Sequence, residues 1–150
     1  MIKIESATLQ DVPQLAELLH ELFTQEADFM PDHERQVRAL KQIIGQPELG
    51  CILVLREMDE ILGMVNLLFT ISTAEGGRVI LLEDLIVRRE HRGRGLGTML
   101  MEACIAFAKE NGISRITLLT DGDNAEAIRF YHKHGFQASP MRPLRLRVES

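Results

Sequence analysis

The sequence predicts an α/β protein built on one mixed β-sheet. Three observations support this class: a helical apolar pattern near the N-terminus, a change to extended periodicity at about residue 51, and a strand–helix–strand unit over residues 78–120. Such a unit joins two parallel strands by a right-handed crossover. The three strands that precede its helix have short connections and should be antiparallel. At 150 residues the chain fits one ordinary domain, which we assign to residues 1–150.

The first predicted elements are a short strand and two helices. Residues 2–5 alternate apolar and polar side chains, as a half-buried strand does. The segment from Thr8 to Asp11 has capping-box form, and the apolar residues after it recur at three- and four-residue spacing, which predicts a helix to about Glu26. Pro31 interrupts this pattern, and a more polar helix follows over residues 34–44.

The second part of the chain should supply most of the sheet. Strands are predicted at residues 51–56, 62–72, 78–87 and 113–120. Helices are predicted at residues 95–111 and 125–134, each followed by a terminating glycine, Gly112 or Gly135. One or two final strands are predicted at 136–138 and 144–148, which gives the order β-α-α-β-β-β-α-β-α-β(-β).

The composition argues against several classes of protein. Cys51 and Cys104 lie in apolar runs without metal-ligand spacing, so we expect reduced thiols and no metal. The N-terminus has no signal-peptide pattern, and no apolar run approaches the roughly 20 residues of a membrane span, so we expect a cytoplasmic protein without a membrane partner. The net charge of −5 argues against a nucleic-acid partner.

The most informative segment is the glycine-rich loop before the helix at residues 95–111, Arg92-Gly93-Arg94-Gly95-Leu96-Gly97-Thr98. Its alternate glycines expose backbone N–H groups, and the helix adds further N–H groups and the positive end of its dipole. These features predict a cradle for a phosphate or diphosphate, with Arg92 and Arg94 at its rim. The spacing fits neither a Walker A loop nor a GxGxxG loop, because Thr98 stands where the third glycine would be.

This loop resembles the R/Q-x-x-G-x-G/A signature of the GNAT superfamily of N-acetyltransferases. The strand segment 82–87, the downstream segment Asn124–Phe136 with its N-x-x-A-x-x-F-Y-x-x-x-G-F pattern, and the order of elements resemble the same superfamily. The resemblance implies an acyl-CoA N-acyltransferase-like fold, whose parallel strands 4 and 5 splay apart near Val87 and Leu118. It also implies transfer of an acetyl group from acetyl-CoA to an amine by direct attack in a ternary complex.

The resemblance further implies which residues bind acetyl-CoA. Backbone groups of the strand before the loop hold the pantetheine and polarise the thioester, and the loop holds the diphosphate. The implied residues are Leu85, Ile86, Val87, Arg92, Gly93, Arg94, Gly95, Leu96, Gly97, Thr98, Asn124 and Tyr131. Asn124 has a second interpretation as the N-cap of the helix at 125–134.

Acetyl transfer to an amine requires removal of the amine proton, stabilisation of the thioester oxygen and a proton for the departing thiolate. Tyr131, the only tyrosine, is the candidate acid because it occupies the Phe-Tyr position of the resembled motif. Glu83 is the candidate base, acting through a water, because alternation predicts that it shares a face with Leu85 and Val87. Alternatives for the base are an amine that arrives neutral, a water chain, or one of His91, His132 and His134.

The acidic segment between the first two helices borders the acceptor cleft in the resembled fold. The candidate acceptor contacts are Glu26, Asp28, Phe29, Ser72 and Asp84. Their carboxylates favour a small cationic amine as the partner, although a protein amino group is an alternative. Two other classes are a non-catalytic acyl-CoA-binding or regulatory module and a nucleic-acid-binding domain that uses the arginine cluster. A homodimer through the alternating segment 144–148 is a further hypothesis.

Overall fold

The computed structural model describes residues 1–25 and 32–148. The chain forms two compact units, Met1–Leu119 and Thr120–Ser150. In the first unit the strands are β1 (Ile2–Ser6), β2 (Gly50–Glu57), β3 (Glu60–Ser72), β4 (Gly77–Val87) and β5 (Ile116–Leu118). Its helices are α1 (Val12–Gln25), α2 (His33–Gly45) and α3 (Leu96–Glu110), with a 3₁₀ turn at Leu9–Asp11 and another at Arg89–His91.

The five strands form one sheet in the order β1-β2-β3-β4-β5. Neighbours from β1 to β4 are antiparallel, whereas β4 and β5 are parallel. This is the mixed sheet that the sequence predicts, with α3 as the crossover between its parallel pair. Strand β5 is shorter than predicted and pairs with β4 only through Ile80, Leu81 and Leu82.

Helices cover both faces of the sheet. On one face Met64 and Ile86 pack in a buried cluster with α1 and α2, which contribute Leu15, Leu18 and Leu40. On the other face α3 packs against β3. Because both faces are covered, residues 52–55 of β2 and 61–67 of β3 are continuously buried, as expected for strands between two helical layers.

Helix α3 approaches β3 closely at Gly63. A Cβ atom at Gly63 would lie 3.0 Å from Leu100 Cδ1 of α3 and 3.0 Å from the carbonyl oxygen of Ile86. The absence of a side chain at this residue therefore permits the close packing that places the N-terminus of α3 beside the end of β4.

The second unit contains the helix α4 (Ala125–Lys133). Asn124 caps this helix, because its Oδ1 accepts a hydrogen bond from the backbone N–H of Ala127 at 3.1 Å. Gly135, with φ of +98°, ends it in the left-handed conformation that glycine adopts without steric cost. Both predicted helix boundaries of this segment are thus confirmed to within a residue.

The predicted final strands do not form. Residues 136–138 and 144–148 are not in β-structure in the part of the second unit that the structure describes. The alternation of apolar residues there satisfies one requirement of a strand, but a strand also needs a partner whose backbone completes its hydrogen bonds. The homodimer hypothesis, which rested on a strand at 144–148, stays a prediction.

No helix within residues 1–25 and 32–148 is both long enough and apolar enough to cross a membrane.

Candidate functional site

The glycine-rich loop has the backbone geometry of an anion cradle. Gly93 and Gly95 have φ of +82° and +76°, in the left-handed region that side chains rarely occupy. A Cβ atom at either glycine would meet no atom within 4 Å, so the space above this backbone is open. The loop therefore presents bare backbone to any ligand that approaches the start of α3.

The N-terminus of α3 lacks a side-chain cap. Its N-cap residue is Gly95, which has no side chain to accept a hydrogen bond from the first turn. The first intrahelical bond runs from the N–H of Met99 to the carbonyl of Gly95 at 3.2 Å. The N–H groups of Leu96 and Gly97 precede that bond and point out of the helix end, where the helix dipole favours negative charge.

Arg88 anchors the start of the loop and has no role at its rim. Its side chain is only 11% exposed. Nε donates to the carbonyl of Ile61 at 2.7 Å, and the guanidinium lies 3.2 Å from Glu17 and 3.8 Å from Glu21 of α1. The sequence shows Arg88 only as part of a basic cluster, because its acidic partners on α1 are some 70 residues away in the chain.

The other cationic residues of the loop are exposed. Nε of Arg92 donates to the carbonyl of Val87 at 3.1 Å, which folds the loop back onto the end of β4. Arg94 lies 2.8 Å from Nδ1 of His91 and 3.8 Å from Glu57. Arg92 and Arg94 adjoin the bare glycines in the chain, and their role at the rim of a phosphate cradle stays a prediction.

The pairing of β4 with β5 ends beside this loop. It stops where Leu82 meets Leu118, whereas β4 continues to Val87. Beyond Leu82, the described residues supply no strand on the β5 side of β4. Because β5 itself ends at Leu118, the implied splay of the two strands stays a prediction.

A β-bulge interrupts β4 just beyond the end of its pairing with β5. Glu83 lies opposite Asn66 and Ile86 opposite Met64, so β4 has one residue more than β3 in this interval. Asp84 lies within the bulge and has φ of +56°. A left-handed backbone at a residue other than glycine is uncommon, and such conformations concentrate at functional sites.

The bulge corrects the predicted environment of Glu83. Directly opposed residues of antiparallel strands point to the same face, so Glu83 shares a face with Ile86. Val87 lies opposite Gly63 on the other face. The expectation that Glu83 shares a face with Leu85 and Val87 is therefore wrong, because simple alternation does not hold across the extra residue. Glu83 is exposed and faces the side of the sheet that α1 and α2 cover.

Asn66 is a buried polar residue that sequence reasoning missed. It is 4% exposed, and its Nδ2 donates to Oδ2 of Asp84 at 3.4 Å. Its Oδ1 has no hydrogen-bond partner among the residues that the structure describes. The available signal was a single amide residue within the otherwise apolar run 61–69.

The remaining candidate residues are distributed over both units. Asn124 and Tyr131 belong to the second unit, where the Tyr131 ring makes edge contacts with Phe130 and Phe136 at centroid distances of 5.5 and 5.8 Å. Ser72 accepts a hydrogen bond from the N–H of Glu75 at the β3–β4 turn. It lies six residues along β3 from Asn66, about 20 Å at the rise of a strand. The predicted acceptor contacts Glu26, Asp28 and Phe29 lie outside the described residues.

The two cysteines are free thiols in the structure. Burial raises the pKa of the Cys104 thiol to about 12, so it is protonated and unreactive at neutral pH. Sγ of Cys51 lies 3.6 Å from Oγ of Ser6, at the opposite end of the sheet order from β5. Neither thiol belongs to the loop or to the bulge.

Known proteins resemble this chain in sequence and in fold. Residues 12–136 match the acetyltransferase (GNAT) family. An uncharacterized N-acetyltransferase of Bacillus subtilis, YhfO, is 33% identical over 86 residues, which cover 57% of this chain and 58% of that protein. Streptothricin acetyltransferase A of the same organism is 41% identical over 56 residues, which cover 37% of this chain and 32% of that protein. The matched regions thus span from about a third to three fifths of the length of these curated relatives.

A solved structure of a predicted acetyltransferase with acetyl-CoA from Clostridium acetobutylicum superposes with a TM-score of 0.80. The superposition covers 98% of this chain and 96% of that chain. At 20% sequence identity this similarity is one of fold.

Proposed function

Because the chain belongs to the acetyltransferase (GNAT) family, we propose that it transfers the acetyl group of acetyl-CoA to the amino group of a small cationic molecule. The transfer takes place by direct attack in a ternary complex, within one domain over residues 1–150 and in the cytoplasm. The observation that supports this most is the bare glycine loop at the uncapped N-terminus of α3, next to a β4 segment whose pairing with β5 ends at Leu82.

The residues of this region fit acetyl-CoA, the acetyl donor of the family. Open space over Gly93 and Gly95 admits a diphosphate, and the N–H groups of residues 92–98 would bind it. The amide groups of pantetheine can pair with backbone groups of residues 85–87, as the next strand would. Bound in this way, acetyl-CoA would supply an activated acetyl thioester for attack by the amine.

Two side chains supply the proton transfers in this proposal. Glu83 accepts, through a water, one proton from the bound ammonium group, which leaves a neutral amine to attack the thioester. Tyr131 donates a proton to the departing thiolate and regains one from the acylated nitrogen, so that free coenzyme A and an acetylated amide are the products. The exposure of Glu83 on the face of α1 and α2 supports a base that solvent can reach.

Acidic groups at the bulge favour a cationic acceptor. Glu83 and Asp84 place two carboxylates at the point where β4 leaves β5, and carboxylates attract an ammonium group from solution. A relative of this chain is named for acetylation of streptothricin. Streptothricin is therefore a reasonable first acceptor to test, together with spermidine and glucosamine.

The proposal is tested by an amine screen with acetyl-CoA. The purified chain is mixed with acetyl-CoA and streptothricin, spermidine, glucosamine or a short peptide with a free N-terminus, and thiol release is followed with a thiol reagent. We expect amine-dependent thiol release with one of the three small amines, and mass spectrometry should show its acetylated product. Preference for the peptide would indicate a protein amino group as acceptor. Calorimetric binding of acetyl-CoA without turnover of any amine would indicate a binding module and overturn the proposal.

A further inference from the structure

The oxygen atom of the Asn66 amide lacks a hydrogen-bond donor in an otherwise well-satisfied sheet. Asn66 is 4% exposed, and no described residue donates to its Oδ1. A buried carbonyl oxygen normally has a partner, because it has lost its hydrogen bonds to water. This atom therefore needs an explanation in the function of the site.

The hydrogen bond to Asp84 determines which end of the Asn66 amide group is the oxygen. Nδ2 donates to the Asp84 carboxylate at 3.4 Å. Turning the amide over would place Oδ1 against a carboxylate oxygen, and two acceptors repel each other. The atom without a partner is thus the oxygen, which can only accept a hydrogen bond.

The location of Asn66 connects it to the transfer chemistry. It lies opposite Glu83 at the β-bulge, one residue beyond the end of the β4–β5 pairing at Leu82. Asp84, in the left-handed backbone of the bulge, is half-buried, and Glu83 is exposed. The three polar side chains thus range from exposed to buried, next to the point where the pairing of β4 with β5 ends.

We propose that Asn66 Oδ1 and the Asp84 carboxylate accept the two N–H groups of the acceptor's primary amine. This inference rests on the proposed function. A neutral primary amine has two N–H groups and one lone pair. If two acceptors bind both N–H groups, the lone pair is left free and faces the thioester carbonyl. The 3.4 Å contact between Asn66 and Asp84 is at the long limit of a hydrogen bond, and the amine replaces Nδ2 of Asn66 as the donor to the Asp84 carboxylate.

The arrangement selects for primary amines. A secondary amine has one N–H group when neutral and leaves one acceptor unsatisfied, and a hydroxyl group has one hydrogen to donate. Leaving a buried acceptor without a donor lowers affinity and rate, because the site is then desolvated without compensation. Asn66 is in this sense a specificity-determining residue for the transfer reaction.

The first test replaces Asn66 with leucine, an apolar residue of similar shape. With the best amine of the screen, Asn66→Leu should raise the acceptor KM by about ten-fold or more. The calorimetric Kd for acetyl-CoA should stay within about two-fold. The thermal unfolding midpoint should change little, because the variant removes an unsatisfied buried oxygen together with one long hydrogen bond to Asp84. Met64→Leu, two residues away on the same face of β3, is the matched control and should leave the acceptor KM unchanged.

A second variant separates the oxygen of Asn66 from its amide nitrogen. Asn66→Asp keeps an acceptor oxygen but removes the donor to Asp84, so its acceptor KM should stay well below that of Asn66→Leu. If both variants raise KM equally, the important group is Nδ2 and its bond to Asp84, and the assignment of Oδ1 is overturned. An acceptor KM of Asn66→Leu equal to that of the wild type also overturns it.

Failure of this inference is distinguishable from failure of the proposed function. Wild-type turnover of an amine, combined with an unchanged KM in Asn66→Leu, removes the role of Asn66 and leaves the acetyltransferase intact. If the wild-type chain binds acetyl-CoA but acetylates no amine, the proposed function is wrong. The proposed role of Asn66 is then wrong as well.

Discussion

Asp11 links the start of α1 to the edge of the sheet through a buried ion pair. It is 6% exposed, its Oδ2 lies 2.9 Å from Nη2 of Arg56, and it accepts a hydrogen bond from the N–H of Thr8 at 2.9 Å. Arg56 also bonds Glu5 at 2.8 Å. Burial by itself would raise the pKa of Asp11, but the hydrogen bonds from Arg56 and Thr8 outweigh it and hold the pKa below its ordinary value.

We expect Asp11→Asn to reduce the free energy of unfolding at neutral pH by about 2 kcal/mol. Because the pKa of Asp11 is lowered in the folded state, its contribution to the free energy of unfolding is fully present above the unfolded-state pKa of 3.8. This contribution is lost as the pH falls through the lower folded-state pKa. Urea unfolding of wild type and variant at several pH values measures the difference in the free energy of unfolding. The difference between the two proteins should shrink below about pH 4.

A surface pair provides the control for Asp11. Asp32 and Arg35 are both exposed, and Asp32 caps α2 through the N–H of Arg35. Asn is an equally good N-cap, and an exposed ion pair contributes little to stability. Asp32→Asn should therefore reduce the free energy of unfolding by less than about 0.5 kcal/mol. Equal reductions in the free energy of unfolding for the two variants would show that the burial of Asp11 adds nothing to its effect on stability.

At the scale of elements, the junction of β4 and α3 combines the features on which the proposed function depends. Arg88 ties the end of β4 to α1 and to the Ile61 carbonyl of β3, and Gly63 lets α3 pack closely on β3. These contacts position the helix end that starts at Gly95 beside the part of β4 beyond its pairing with β5. The proposed diphosphate site is therefore preorganised by packing, and little ordering entropy remains to be lost on binding.

Gly97→Glu tests the proposed contact between this helix end and a diphosphate. The new carboxylate should repel the phosphates and weaken calorimetric acetyl-CoA binding by about ten-fold or more. Stability should not fall, because glutamate is a better helix former than glycine and its charge favours the helix N-terminus. A weakened affinity with an unchanged or raised melting temperature is the expected pair of results.

The matched control introduces glutamate at Gly77, away from the loop but in the same unit. Gly77 begins β4, and a Cβ atom there would meet nothing within 4 Å. Gly77→Glu adds the same charge away from the loop and should leave acetyl-CoA affinity within about two-fold of wild type. Equal affinities for Gly97→Glu and wild type would refute the diphosphate site.

At the scale of the whole molecule, the proposed chemistry draws on both compact units. The glycine loop, the bulge and Glu83 belong to Met1–Leu119, whereas Tyr131 belongs to Thr120–Ser150. The proposed acid role belongs to a residue of the second unit. The value of kcat should therefore depend on the Tyr131 hydroxyl, whereas binding of the diphosphate should not.

Tyr131→Phe tests this dependence because it removes only the hydroxyl and keeps the ring that contacts Phe130 and Phe136. We expect kcat to fall by about 100-fold, with acetyl-CoA affinity close to that of wild type. Lys133→Ala, an exposed change on the same helix, is the control and should preserve kcat. An unaltered kcat in Tyr131→Phe would remove the acid role and leave the second unit without a demonstrated part in the chemistry.

The sequence by itself determined the features that depend on neighbouring residues. Apolar periodicity located the helices and the first five strands, and local chemistry located Asn124 as an N-cap and Gly112 and Gly135 as helix terminators. The glycine loop was also recognisable, since its function resides in the backbone of consecutive residues. These features are local because they arise from hydrogen bonds and conformational preferences within a few residues.

Only the tertiary structure decided the features that depend on residues distant in the sequence. The bulge at Asp84 arises from the register between β4 and β3, and that register reversed the predicted face of Glu83. The burial of Arg88 depends on α1, and the unsatisfied oxygen of Asn66 depends on its neighbours across the sheet. The final strands failed to form because alternation specifies a face but cannot supply a partner. Pairing register and burial are properties of the assembled sheet, and they determine which side chains the proposed site contains.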